Sequence, residues 1–262
     1  MKCLLVSDLH YTLKQFDWVL QQASAYDVVV IAGDHLDIAS AVDLQVQITV
    51  ILSYLKRMCA KTRVVVCSGN HDLDARDFHD EKYARWILMT RQFGIPTDED
   101  SLELEDILFT ICPWWDGPKR CARVGEQIER DSRKTKAQWI WIYHAPPDAS
   151  PTSWSGRRYG GDAQLVEWIA RFAPSMVLVG HVHQSPFQQG GSWVDRIGGT
   201  WVFNPGRQLG PVPAHIILDT QARRALWASC EVVEEIALDA MAPLRPRPVR
   251  EAPAWLDKRY CG

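Results

Sequence analysis

The sequence predicts an α/β fold in which buried, mostly parallel strands alternate with helices. Short, nearly continuous apolar runs such as Val28–Ile31 and Arg63–Cys67 read as strands buried in a parallel sheet. Between them lie amphipathic stretches with helical spacing, such as Phe16, Val19, Leu20 and Ala23. Several strand-like runs also close on Asp, Asn or His. That places polar side chains at the carboxyl ends of strands, where open α/β sheets hold ligands.

The chain has 262 residues, is 47% hydrophobic and carries 12 Trp, ample for a sizeable core. Its formal net charge of −3, with acids and bases interspersed, leaves no electrostatic footprint for nucleic acid or a membrane surface. The 7 cysteines are scattered without a C-x-x-C pair. A disulfide framework is therefore disfavoured, and a reducing, cytoplasmic setting is expected. No apolar leader and no run of about 20 apolar residues is present, so no membrane span is expected.

In chain order, Lys2–Ser7 is expected as a strand ending in Asp8-Leu9-His10. In extended chain, residues i and i+2 share a face, so Asp8 and His10 can address one object together. A helix follows over Gln15–Ala23, then a strand over Asp27–Ile31 that runs into Gly33-Asp34-His35-Leu36-Asp37. A helix from about Val42 to Cys59 returns the chain to the strand Arg63–Cys67, which closes on Ser68-Gly69-Asn70-His71-Asp72. Further on, a helix is expected over Asp80–Phe93, a hairpin over Ser101–Cys112 and a Pro/Gly loop at Pro113–Pro118. A charged, mostly exposed helix is expected over Lys119–Lys136, and a strand over Gln138–Tyr143 that ends at His144. The polar stretch Asp148–Gly161 reads as a long loop, and Asp162 as the N-cap of a helix reaching Phe172. The strand Ser175–Val179 ends in Gly180-His181-Val182-His183. Antiparallel strands are expected at Trp193–Ile197, Trp201–Phe203, Ala214–Leu218, Ala225–Ser229 and Val232–Ala237. Residues 1–240 read as a single domain, and 241–262 as a Pro/Arg-rich tail, extended and loosely held.

Placed side by side, the strand ends supply Asp8, His10, Asp34, Asn70, His71, His144, His181 and His183. Five of the 8 histidines fall directly after apolar strand-like runs, a coincidence that solvated histidines would not produce. Carboxylate and imidazole donors without thiolate suit Zn, Mn, Fe or Co. So many donors exceed the needs of one catalytic ion and suit two ions about 3.5–4 Å apart.

The ordered set Asp8-x-His10, Gly33-Asp34-x-x-Asp37, Gly69-Asn70-His71-Asp72, His144 and Gly180-His181-x-His183 resembles the calcineurin-like metallophosphoesterase family. The resemblance implies a four-layer sandwich of two mixed β-sheets flanked by helices. It implies one metal held by Asp8, His10, Asp34 and His183, and a second held by Asp34, Asn70, His144 and His181, with Asp34 as the bridge. His71 would serve as general acid at the leaving-group oxygen, oriented by Asp72. Two cations make hydroxide available from a bridging water near neutral pH and draw charge from phosphoryl oxygens.

The other residues carry plainer expectations. Asp37 reads as a turn or cap carboxylate, His35 and His79 as loop or surface histidines, and His215 as a core or rim histidine. Asn204-Pro205-Gly206 resembles a turn found late in the same family, and Arg207 behind it could contact substrate phosphate. Two loops are candidates for substrate choice: Trp114–Trp115, and Trp154 with Arg157, Arg158 and Tyr159. The expected activity is two-metal hydrolysis of small phosphoric esters, with a lean toward phosphodiesters. Phosphomonoesterase or nucleotide pyrophosphatase activity on the same site, or a scaffold that kept the fold without turnover, are the alternatives. A nuclease is disfavoured by the acidic total charge.

Overall fold

The structure is a computed structural model that describes residues 1–239, 244 and 246–249. Two sheets form its centre. The first has seven strands in the order β15-β14-β13-β12-β1-β2-β3. These are β1 (Lys2–Val6), β2 (Val28–Ala32), β3 (Arg63–Cys67), β12 (His215–Asp219), β13 (Arg224–Ala228), β14 (Val233–Ala237) and β15 (Arg247–Pro248). Strands β1, β2 and β3 run parallel, with Leu5 opposite Val30 and Val30 opposite Val65, while β1 pairs antiparallel with β12.

The second sheet has the order β10-β11-β9-β8-β7-β6. Its strands are β6 (Ser101–Leu104), β7 (Ile107–Ile111), β8 (Gln138–Ile142), β9 (Met176–Leu178), β10 (Val194–Ile197) and β11 (Thr200–Phe203). Four of them run parallel (β7, β8, β9 and β11), and the edges β6 and β10 are antiparallel. Both sheets are therefore mixed, as expected.

Alternate residues on each strand feed different cores. Leu5, Val30 and Val65 face Phe109, Ile140, Leu178 and Phe203 in the layer between the sheets. Leu4, Val29, Ile31 and Val64 face outward onto α1 (Leu13–Gln22) and α2 (Leu44–Cys59). On the other side Trp139, Trp141 and Val177 pack against α3 (Pro118–Ser132) and α4 (Ala163–Phe172). Helix, sheet, sheet, helix makes four layers. Strands apolar on both faces are what such burial requires.

One expected helix is replaced. Within Asp80–Phe93 the strand β5 (Lys82–Tyr83) pairs back with β4 (Ala75–Arg76) in a two-stranded ribbon, and only Trp86–Phe93 is helical, as a 3₁₀ segment. Local carboxylates decide this. Asp77 Oδ1 accepts from the backbone N–H groups of His79 and Glu81, holding a turn, and Asp74 Oδ1 accepts from those of Arg85 and Trp86. Glu81 then caps α3 by accepting from Lys119 N and Arg120 N. The α3 helix itself is less exposed than its charge suggested, because Val124 and Ile128 are fully in the core.

The segment Asp148–Gly161 is an ordered loop, with a 3₁₀ turn at Pro151–Ser153 and a bridge between Trp154 and Tyr159. Much of the expected tail lies outside the described residues. Of the part described, Leu244 packs against the inter-sheet core and β15 adds to the edge of β14, so that part is docked rather than loose. None of the described cysteines is in a disulfide. Among the described residues no helix is long and apolar enough to cross a membrane.

Candidate metal centre

The carboxyl ends of β1, β2 and β3 in one sheet and of β8 and β9 in the other open onto a common rim. There the structure brings Asp8, His10, Asp34 and His183 together as one group and Asp34, His144 and His181 as a second, the donor atoms of each group within 4.8 Å of one another. Asp34 belongs to both. Asn70 joins the second group through its Oδ1, 2.9 Å from His181 Nδ1.

The backbone at these positions is held in an unusual state. Asp8, His10, Asp34 and His181 all have positive φ, at 56°, 41°, 54° and 67°. Non-glycine residues adopt that region at a cost that concentrates at functional sites. Two glycines supply the clearance. A Cβ on Gly69 would lie 2.2 Å from Asp34 Oδ1, and one on Gly33, itself at φ 86°, would lie 2.3 Å from His144 Nδ1.

The ring nitrogens converge on the carboxylates. His10 Nε2 lies 3.5 Å and His144 Nε2 3.4 Å from Asp34 Oδ2, while His183 Nε2 lies 3.3 Å from Asp8 Oδ1. His144 donates its Nδ1–H to the carbonyl of Ala32 at 2.7 Å, which fixes the tautomer and aims Nε2 into the site. That buried Nε2 makes no hydrogen bond. His10 and His183 meet through their Nε2 atoms at 3.0 Å.

Burial raises the affinity of Asp8 for a proton, but the bond from His183 and the charge of His144 outweigh it and hold the group below the usual carboxylate range. Asp34 is lowered in the same way, its burial offset chiefly by His144. Burial should make His144 less basic, yet the charge of Asp34 raises it to about 9. Burial lowers His10 and His181, each to about 4. Two buried carboxylates thus demand positive charge beside the rings of His10 and His181, which burial keeps neutral. The donor set fits divalent cations: oxygen and imidazole nitrogen only, shared through Asp34, with a buried ring nitrogen at His144 that makes no hydrogen bond.

His71 borders this set. Its backbone N–H donates to Asp34 Oδ1 at 2.8 Å, and its ring stands edge-on to His10 at 4.4 Å. The Nδ1 atom is buried without a hydrogen-bond partner, and Asp37 brings a carboxylate within 4.8 Å of ring nitrogens of His71 and His10. Asp72 does not hold His71, contrary to expectation. Its carboxylate accepts from Gly69 N, His35 N, Leu36 N and His35 Nδ1 and has no capacity left. His35 is correspondingly fully buried rather than a surface histidine. Asp37 does form the expected turn, accepting from Ala39 N. His215 is buried, its ring 4.6 Å from Trp18.

Buried Asn204 lies within hydrogen-bond distance of the carbonyls of Gly180 and Val182, tying down the loop that carries His181 and His183. Arg207 follows, its N–H donating to the His183 carbonyl, and its charge contributes to keeping His10 neutral. Arg157 and Arg158 are exposed, on the loop closed by Trp154 and Tyr159. Trp114, in contrast, stands against the centre, its ring 5.2 Å from that of His181 and 5.7 Å from that of His144. Sequence reasoning did not single out Tyr143, Asp162 as a pocket residue, or Ser68. Tyr143 bonds Asp162 and accepts from Trp115 Nε1, and Ser68 Oγ accepts from Trp114 N. Tyr143 gives itself away only by preceding His144 directly.

The profile of the calcineurin-like phosphoesterase superfamily domain matches residues 1–223. Among solved structures the chain is similar to TT1561 of Thermus thermophilus, at 13% identity and a TM-score of 0.57, over 91% of this chain and 99% of that one. It is also similar to a purple acid phosphatase from yellow lupin (Lupinus luteus) seeds, at 12% identity and a TM-score of 0.54, over 91% of this chain and 51% of the other. A phosphoesterase from E. coli aligns at 17% identity over 94% of this chain and 98% of its own, with a TM-score of 0.41. At such identities the likeness is one of fold. No curated protein matches the sequence.

Proposed function

The chain belongs to the calcineurin-like phosphoesterase superfamily, and from that premise we propose that it is a two-metal hydrolase of phosphoric esters, with phosphodiesters ahead of monoesters. The observation that supports this most is the pair of donor groups sharing Asp34, each rich in imidazole and free of thiolate. Asp8, His10, Asp34 and His183 would hold one divalent ion, and Asp34, Asn70, His144 and His181 the other, drawn from Mn, Zn, Fe or Co. When bound, the pair supplies Lewis-acid stabilisation of phosphoryl charge and lowers the pKa of water.

The chain's own residues do the rest. Asp34 fixes the spacing of the two groups, and its bond from His71 N ties that spacing to the His71 ring. His71 is proposed to deliver a proton to the departing ester oxygen, a role that positions an imidazole near the reacting phosphorus without making it a ligand. Arg207 is proposed to face the phosphoryl oxygens. Arg157 and Arg158, further out, are assigned to the distal part of larger esters. The lean toward diesters rests on the complete Asp8-x-His10 block together with His71 as a leaving-group acid.

The test is turnover of the purified protein on a panel of mono-, di- and pyrophosphate esters, with each metal added back separately. Metal-dependent hydrolysis with a diester as the best substrate is expected. Metal binding without hydrolysis of any ester would instead make the chain a scaffold of the same fold.

A further inference from the structure

Beside the donor groups lies a cavity of about 250 Å³ that shares His144 and His181 with them. Its volume is below the usual range for drug-sized ligands, so it suits one ring system rather than an extended chain. Trp114 forms the wall next to the imidazoles. Trp115 and Tyr143 form another part, locked to each other by the indole N–H donating to the Tyr143 hydroxyl at 2.6 Å. The bare backbone of Gly160 and Gly161 completes the lining without side chains.

Charge sharpens the reading. Among the described residues that line this cavity none is Lys or Arg, whereas Asp162 is a carboxylate. The Tyr143 hydroxyl is spent on Asp162, to which it donates, and on Trp115, from which it accepts. Away from the two imidazoles, a second phosphate or any anionic group would meet no Lys or Arg here and would face Asp162. An uncharged flat ring would meet indole faces, which stack on every aromatic ring.

Resting on the two-metal reading above, we propose that the cavity between Trp114, Trp115 and Tyr143 is the subsite for the organic group of the substrate, and that this group is a flat, uncharged aromatic ring. The natural substrates are then aryl or nucleobase-bearing esters whose ring carries no further phosphate on that side. Of the two loops that could set specificity, the Trp114 loop supplies the aromatic contact, and the Trp154 loop contributes only the backbone of Gly160 and Gly161.

The test is calorimetric binding of phosphonates, which cannot be hydrolysed, to the metal-loaded protein. Phenylphosphonate should bind about tenfold tighter than methylphosphonate, the scale of one aromatic stacking contact. In Trp114→Leu that preference should collapse, while in Trp154→Leu it should persist. A preference retained in Trp114→Leu, or lost in Trp154→Leu, overturns the assignment. Should Trp114→Leu fail to fold, the wild-type protein still decides through 4-carboxyphenylphosphonate. It should bind about tenfold weaker than phenylphosphonate because its carboxylate faces Asp162 with no Lys or Arg to pair with, and equal or tighter binding overturns the proposal. If phosphonates bind with the expected ratio but no ester is hydrolysed, the catalytic reading fails and the subsite stands. If esters are hydrolysed without any aromatic preference, the reverse holds.

Discussion

Two buried aspartates on neighbouring loops, Asp34 and Asp72, show the difference between a carboxylate saturated by hydrogen bonds and one that is not. The two loops cap each other: Asp34 accepts from His71 N, and Asp72 accepts from His35 N. From there they diverge. Asp72 adds Leu36 N, Gly69 N and His35 Nδ1, so that each of its oxygens is doubly satisfied by short, directed donors. Asp34 instead turns Oδ2 toward the ring nitrogens of His10 and His144 at 3.5 and 3.4 Å. One of those nitrogens, His144 Nε2, makes no hydrogen bond. A buried polar group left in that state is costly unless something else completes it. Saturation marks Asp72 as structural, and incompleteness is what supports the proposal that Asp34 holds metal.

The largest effect should come from breaking the incomplete side. Asp34→Asn keeps the shape but removes the charge that the two donor groups share. Turnover of a phosphodiester should fall by roughly 10³-fold or more, about 4 kcal/mol in the barrier, with both metals bound more loosely in a metal assay. Full activity in this variant would remove Asp34 from the bridge. His71→Ala should slow turnover by roughly 10²–10⁴-fold, the range of a general acid, while metal content stays at the wild-type level. Loss of metal together with activity would make His71 a ligand.

On the saturated side the readout changes from chemistry to stability. Asp72→Asn keeps one acceptor oxygen and leaves two of the four donors facing an amide NH2. It should lower the unfolding free energy by roughly 3 kcal/mol, measured by denaturant titration. An unchanged midpoint with lost metal would reverse the contrast drawn between the two aspartates.

A smaller effect belongs to His215, remote from the rim. Burial lowers its pKa to about 4, against the ordinary 6.5 of an unfolded histidine. The unfolded chain therefore takes up this proton first. The stability it provides is intact above pH 6.5 and drains away as pH falls toward 4, by up to about 3 kcal/mol. Denaturant titrations at pH 7.5 and 4.5 should show His215→Gln losing less stability on acidification than the wild-type protein. Parallel losses would place the acid sensitivity elsewhere.

The rim was legible in the sequence because its signal is local. An apolar run followed at once by Asp8, Asp34, His144 or His181 declares both a strand and the direction of its end. What escaped depended on partners far along the chain. His35 looks like a loop histidine until Asp72, 37 positions away, takes both its backbone and its ring. The same pairing removes Asp72 from His71, although adjacency in sequence suggested the opposite. The segment from Asp80 carries helical spacing, yet Asp74 and Asp77 spend their carboxylates on its backbone N–H groups and convert its first half into a ribbon. Both aromatic loops offered suitable residues, and only packing shows that Trp114 reaches His181 while Arg157 and Arg158 face solvent.

The most direct test of the paired centre is to load the protein with Mn(II), count the ions per chain and record its paramagnetic resonance spectrum. Two ions per chain with the signature of spin coupling are expected, because a shared carboxylate holds them as neighbours. A single ion, or two that do not couple, would contradict it.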